Sequence, residues 1–306
     1  TRTATRMMTV RDPWVNMLRT TLAAFAAGVG GADTVLVAPF DAAIPGGLPG
    51  TATTFTRRMA RNTQLLLLEE SHLGRVLDPS AGSWFVEDLT AQLADQAWAH
   101  FQDLESRGGF VAAREHLSEQ IAAVREARAD DIAHRRTALT GVNEFPNLAE
   151  KPLAGAAEEP GVYRYGAGFE ALRDRSDAYL AEHGTRPAVV LLPLGPLAEH
   201  NIRTTFAANL LASGGIETVN PGTVDAAAVA AAVEGHRAVV ICGTDARYGT
   251  EAEAVVAAAR DAGVPHIYLA GPEKAVGAAV ARPDEYLTAK INAVEALATL
   301  LTRLGA

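Results

Sequence analysis

Few residues in this chain have the chemistry to act on a ligand, and they fall in three places. His200 stands in the stretch Ala198-Glu199-His200-Asn201-Ile202-Arg203, just past the Pro/Gly loop Pro193–Pro196. An imidazole there could ligate a metal through one ring nitrogen or exchange a proton near neutral pH. A histidine at a helix start can equally be a locally hydrogen-bonded structural residue. Glu69 and Glu70 are adjacent carboxylates at the C-terminal end of a predicted helix, where the macrodipole disfavours negative charge by ~0.3–1 kcal/mol each. So placed, they either face solvent at small cost or are held towards a ligand. Cys242, the single cysteine, ends a predicted strand and reads as a small buried apolar residue. His72, His100, His116, His134, His183, His236 and His266 show no paired metal-ligand spacing, so no zinc site is expected.

The elements that must position these residues are clearest after Pro187. Ala188–Leu192 is a short apolar run, followed by the loop and an alanine-rich helix from about Glu199 to Ala212. This is the first βα unit of an open parallel sheet, in which ligands bind beyond the carboxyl ends of the strands. Further strands are predicted at Ile216–Val219, Ala238–Cys242, His266–Leu269 and Glu285–Thr288. Helices are predicted at Thr223–Glu234, Thr250–Ala262, Lys274–Ala281 and Ala293–Leu304. The alternation predicts a flavodoxin-like three-layer domain over 187–306.

The N-terminal part reads differently. Asp12 as N-cap and Pro13 at the first helical position predict a helix start, with Trp14–Gly28 helical. Thr34–Ala38 is a predicted buried strand, Thr56–Ser71 a helix, Arg75–Leu77 a strand and Trp84–Arg107 a long helix. This is a stretch of (β/α) barrel or doubly wound sheet, too short to close a barrel of roughly 250 residues. Phe110–Leu139 is helical, with alternating Arg and acidic residues that read as a solvated face. Asn143–Gly161 reads as an extended linker, and Phe169–His183 as a helix leading into the last domain. The expected division is 1–110, 111–186 and 187–306.

Composition narrows the function classes. The 306 residues suffice for about two domains. A net charge of −9 argues against a nucleic-acid surface. No run of 18 apolar residues predicts a membrane span, no signal peptide is visible, and one cysteine fits a reducing cytoplasm. The chain begins Thr-Arg-Thr and is expected to be a fragment or a processed product.

Arg61–Glu87 reads RNTQLLLLEESHLGRVLDPSAGSWFVE. RNTQ, EES, DP and GS at this spacing resemble the end of the substrate barrel of the methylmalonyl-CoA mutase family. Asp12-Pro13 and its helix, Gly30-Gly31 and Gly141-Val142-Asn143 match as well. The resemblance implies that the part before Pro146 is the tail of a (β/α)8 barrel whose first strands lie upstream of Thr1. It also implies that Pro187–Ala306 has the cobalamin-domain fold, and that the reaction is a radical isomerisation of methylmalonyl-CoA and succinyl-CoA. In that reaction adenosylcobalamin supplies the chemistry and the protein places it.

Several positions depart from the family pattern. Catalytic members carry DxHxxG, in which the Asp orients a cobalt-ligating His. Here His200 keeps the ligand position, but Ala198 replaces the Asp and Arg203 the Gly. The SxL of the third-strand loop is Gly243-Thr244-Asp245, and the Gly-Gly of the fourth is Ala270-Gly271. The TSGW segment is Thr3-Ala4-Thr5-Arg6. Glu70 matches the family's glutamate near the adenosyl ribose. The pattern is similar to that of the small, non-catalytic subunit of heterodimeric bacterial mutases, which would pair with a catalytic large subunit that binds the cofactor. His200, Glu70, Gly243 and Gly271 are then vestigial cofactor-binding candidates, with His200 the one candidate cobalt ligand and no catalytic residue assigned. Arg11, Arg19 and Arg61 could pair with carboxylates or meet a CoA phosphate. The alternatives are a competent acyl-CoA mutase using His200 alone, or a binding module that takes an anion at the Glu199 helix start near Arg203.

Overall fold

The computed structural model describes residues 1–153 and 163–306; part of the expected linker, from 154 onward, lies outside the described residues. The chain gathers into two compact units. The first contains Thr1–Met8 and Pro13–Asp130, the second Thr9–Asp12, residues 131–153 and residues 163–306.

The second unit is built on a five-stranded, all-parallel sheet: β1 (Ala188–Pro193), β2 (Glu217–Val219), β3 (Ala238–Cys242), β4 (His266–Leu269) and β5 (Glu285–Tyr286), in the order β2-β1-β3-β4-β5. Continuous apolar runs suit strands covered on both faces. Side chains alternate across the sheet. Val189, Leu191, Val240 and Cys242 enter one core with α6 (Ala167–His183), α7 (Leu197–Ser213) and α10 (Ala293–Leu304). Val190, Leu192, Val239 and Ile241 enter the other with α9 (Asp245–Asp261). The α/β architecture with a parallel sheet agrees with the sequence expectation.

Several predicted elements come out shorter. Only Val229–Ala232 of the expected Thr223–Glu234 helix is helical (α8). The helix expected at Lys274–Ala281 is a 3-10 turn, Glu273–Val276, ended by Gly277 in a positive-φ conformation. Helix α7, by contrast, is longer than expected, starting at Leu197 and ending at Ser213.

The compact units do not divide at 110 and 187. Helix α6 precedes the sheet in sequence but packs on α10 and α7, so it belongs with the sheet. Residues 9–12 belong there too, held by buried charges. Arg11 is 1% exposed and donates to Asp177 (2.6 Å) and Asp174. Arg186 pairs with the other oxygen of Asp177 (2.6 Å), and Arg173 donates to Glu150 (3.1 Å). Burial pulls the Arg173 guanidinium down to about 10, against the pull of Glu150. The Val10 and Asp12 backbone amides donate to Glu170 and Glu150. Asp12 is thereby drawn into a left-handed conformation (φ 45°) and is not the N-cap expected of it; α1 begins at Val15 (Val15–Val29) behind Trp14.

In the first unit α1 is joined by α2 (Thr53–Leu65), a π-helical turn (Leu66–Glu70), α3 (Trp84–Ser106), α4 (Gly109–Ala112) and α5 (Arg114–Ala133). The two predicted strands do not form. Leu36 makes a single parallel bridge, to Arg2, because only Thr1–Thr3 run beside Thr34–Ala38 among the described residues. A strand needs a ladder, and one bridge is not one. Leu73–Arg75 is a 3-10 turn, with Leu77 beyond it fully exposed.

Candidate functional site at the sheet's carboxyl edge

The order β2-β1-β3 means that the chain leaves β1 to one side and returns on the other, so the loops after β1 and β3 diverge at the β1/β3 boundary. Such switch points are where open α/β sheets bind ligands. Gly243 and Gly271 follow β3 and β4 and both meet Tyr248, while His200 lies in the first turn of the helix that follows β1. Glu70 belongs to the other unit, exposed at the end of the π-helical turn. Arg11 pairs with carboxylates, as one of its two readings expected; Arg19 donates to Asn16 (2.8 Å), and Arg61 is exposed.

His200 does not stand in a loop. It lies in the first turn of α7, 5% exposed, and its Nδ1 is buried with no hydrogen-bond partner. An aspartate at position 198 is what the family pattern would supply to that nitrogen; Ala198 has no acceptor.

The three loops are tied by side chains of this chain. Tyr248, on α9, is buried; its hydroxyl accepts from the Gly243 amide and donates to the Ala270 carbonyl, both at 2.7 Å. One phenol thus joins the β3 and β4 loops. Burial pushes its hydroxyl above the ordinary tyrosine range, so it stays protonated and keeps donating. Arg203, on α7, reaches the same Ala270 carbonyl (3.1 Å) and pairs with Asp245 (3.1 Å). Arg247 closes the front: Nε donates to Glu199 (2.7 Å) and Nη1 to Glu251 (2.6 Å). The Arg247 hydrogen bond holds the Glu199 carboxyl below its usual range. Sequence reasoning singled out Arg203 and Asp245 only as departures and missed Tyr248 and Arg247. A tyrosine and an arginine one turn into a helix that follows a strand loop were the available signal.

These residues do not fit a corrin. A methyl group placed on Gly271 would meet Tyr248 at 2.8 Å and the Arg203 guanidinium at 3.3 Å, so the space over the fourth-strand loop is filled. The same packing leaves little for an anion: Arg203 is spent on Ala270 and Asp245, and the α7 start carries Glu199 against Arg247. A cavity of about 240 Å³ elsewhere in this unit is lined by Arg135, Glu144, Phe206 and Asn209, whose polar groups bond one another or adjacent backbone. Among the described residues, no group of three His, Cys, Asp or Glu side chains could hold a metal ion. No helix among them is long and apolar enough to cross a membrane.

Comparison with known proteins shows the family. The family model for methylmalonyl-CoA mutase matches residues 1–176. The chain is 69% identical over 99% of its length to the probable methylmalonyl-CoA mutase small subunit of Mycobacterium tuberculosis (strain ATCC 25618 / H37Rv), covering 50% of that protein. It is 47% identical over 98% of its length to the methylmalonyl-CoA mutase small subunit of Streptomyces virginiae, covering 49% of it. It is 34% identical over 99% of its length to that of Propionibacterium freudenreichii subsp. shermanii, again covering 49%. The chain therefore spans about half the length of these relatives. The matched motifs, the extent of the family match and these relatives agree: this chain belongs to the methylmalonyl-CoA mutase family.

Proposed function

We propose that the chain is part of the non-catalytic small subunit of a heterodimeric, adenosylcobalamin-dependent methylmalonyl-CoA mutase. Its role is to stabilise a catalytic large subunit that binds the cofactor and isomerises methylmalonyl-CoA and succinyl-CoA. The observation that carries this reading is the filled bed above the β1, β3 and β4 loops, where Tyr248 and Arg203 stand over Gly271. His200 without an acceptor for Nδ1 supports it further. A fold that persists after its site is lost is expected when the chain is retained for an interface.

The strand order β2-β1-β3-β4-β5 is that of flavodoxin-like doubly wound sheets, which supports residues 187–306 as a cobalamin-domain fold without its cofactor. The first unit supports the barrel reading through its surface. Leu18, Leu22, Trp84, Leu93 and Trp98 are exposed, and α3 has no buried residue. Such surface suits helices whose strands lie in the half of the relatives that this chain does not span. A reducing cytoplasm suits a protein whose one cysteine is buried and unpaired.

Co-expression of the full-length polypeptide with a catalytic large subunit tests the reading. Co-purification and a raised thermal midpoint of the large subunit are expected. Absence of both would reject it, as would turnover of methylmalonyl-CoA by the full-length polypeptide alone with adenosylcobalamin. That turnover is what a competent mutase with His200 on cobalt requires.

A further inference from the structure

The residues that fill the bed do more than fail to bind a corrin. Tyr248 bonds the β3 loop to the β4 loop, and Arg203 carries the α7 side of the bed to the same Ala270 carbonyl and to Asp245. Both converge on one acceptor from opposite faces of the sheet, Arg203 from α7 and Tyr248 from α9. Arg247 adds the link from α9 back to the start of α7 through Glu199. Beneath them lies Cys242, fully buried at the end of β3, on the face that packs against α7. We infer that Tyr248 and Arg203 form an internal plug, which orders the three loops and seals the carboxyl edge of the sheet, doing from within the chain what a bound ligand would otherwise do.

The plug follows from polar accounting. The Gly243 amide and Ala270 carbonyl stand at strand ends, beyond the ladder, and buried backbone groups of this kind need partners. One phenolic hydroxyl serves both, and the Arg203 guanidinium takes the second lone pair of the carbonyl. Gly271 must lack a side chain for the phenol to lie flat there. Losing these bonds frees the loops to open locally without unfolding the sheet, since both side chains lie at its edge.

The single cysteine makes the inference measurable. In the full-length polypeptide, modification of Cys242 by a small thiol reagent under native conditions is followed by mass spectrometry of its peptide. Variants are Tyr248→Phe, Arg203→Ala and the pair, with Arg260→Ala as control. Arg260 bonds Pro265 and Asp284 at the opposite end of β4, so it destabilises the unit remotely from the bed. Cys242 in the unsubstituted protein should be protected, the double variant should react about tenfold faster or more, and Arg260→Ala should stay near the unsubstituted rate. Equal rates in the unsubstituted and plug-variant proteins, or equal acceleration in the control, would overturn the plug. The inference rests on the non-catalytic reading in one respect, that no cobalamin enters the bed. An absorbance titration with adenosylcobalamin, with His200→Ala as reference, separates the two. A histidine-on spectrum lost in His200→Ala would overturn both. No spectral change together with a freely reactive Cys242 would overturn the plug alone and leave the small-subunit reading standing.

Discussion

The two units of this chain treat apolar residues in opposite ways. In the sheet unit Val189, Val190, Leu192 and Val239–Cys242 have no exposure at all, and two cores fill the two faces of the sheet. In the first unit Ala24, Val37 and Ala60 form a small buried cluster and Met8, Phe40, Ala43 and Ile44 are buried as well, while Trp84 is 81% and Trp98 60% exposed. Strand pairing separates the units. A sheet that pairs its own strands has two faces for its helices to cover. Helices whose strands find no ladder have nothing to cover. Burial per residue, not helix content, therefore distinguishes the two units.

The comparison can be broken by substitution. The largest effect is expected at the buried charges of the sheet unit. Arg173→Ala breaks a buried charge network, leaving Glu150 with only Arg11 at 3.9 Å and the Asp12 amide, and should cost about 3–5 kcal/mol, read from denaturant unfolding. The Glu150 carboxyl, already pushed up by burial, would lose the closer of its two cations. Leu211→Ala, at a fully buried position on α7, should cost about 2–5 kcal/mol by the lost transfer energy and the cavity left behind. Asn292→Ala removes the side chain that caps α10 by accepting from the Glu295 amide, and should cost about 1 kcal/mol. In the first unit, Trp98→Ser should change the stability of the 306-residue chain by under about 0.5 kcal/mol, yet lower its binding of a hydrophobic dye. A loss as large as that of Leu211→Ala would mean that α3 is packed after all.

The smallest effect sharpens the electrostatics of the loop edge. The Glu199 carboxyl is held below its ordinary value by the Arg247 hydrogen bond. The unfolded chain then binds more protons than the folded one just below the ordinary carboxylate pKa. Stability rises with pH through that window and is lost as pH falls through it. Both side chains are partly exposed, so the effect is modest. Arg247→Ala should flatten the acid limb of the thermal-midpoint profile between about pH 3 and 5, with little change near neutrality.

Much of the sheet unit was legible. The buried strands announced themselves as short apolar runs bounded by Gly and Pro, and all five were placed to within two residues. The first unit was less so. TVLVA at Thr34–Ala38 carries a strand pattern, but whether it becomes a strand depends on neighbours that no local pattern reports. Asp12-Pro13 is a helix-start signal that lost to the amide bond with Glu150, a contact 138 residues away in sequence. At the site, Ala198 and Arg203 stood out in the sequence as departures from the family pattern it resembles. Tyr248 and Arg247 did not, because they have no motif spacing to His200.

By itself the sequence determined the alternation of strands and helices, the family, and that no carboxylate stands two residues before His200, since each of these is written in residue types at fixed offsets. Only the tertiary structure decided that the Nδ1 of His200 is buried without a partner, and that Arg203 and Tyr248 meet on one carbonyl. It also decided that residues 9–12 belong with the sheet. Those facts depend on groups far apart in the chain competing for the same buried donors and acceptors. That competition is settled by which of them the packed strands bring within about 3 Å of one another.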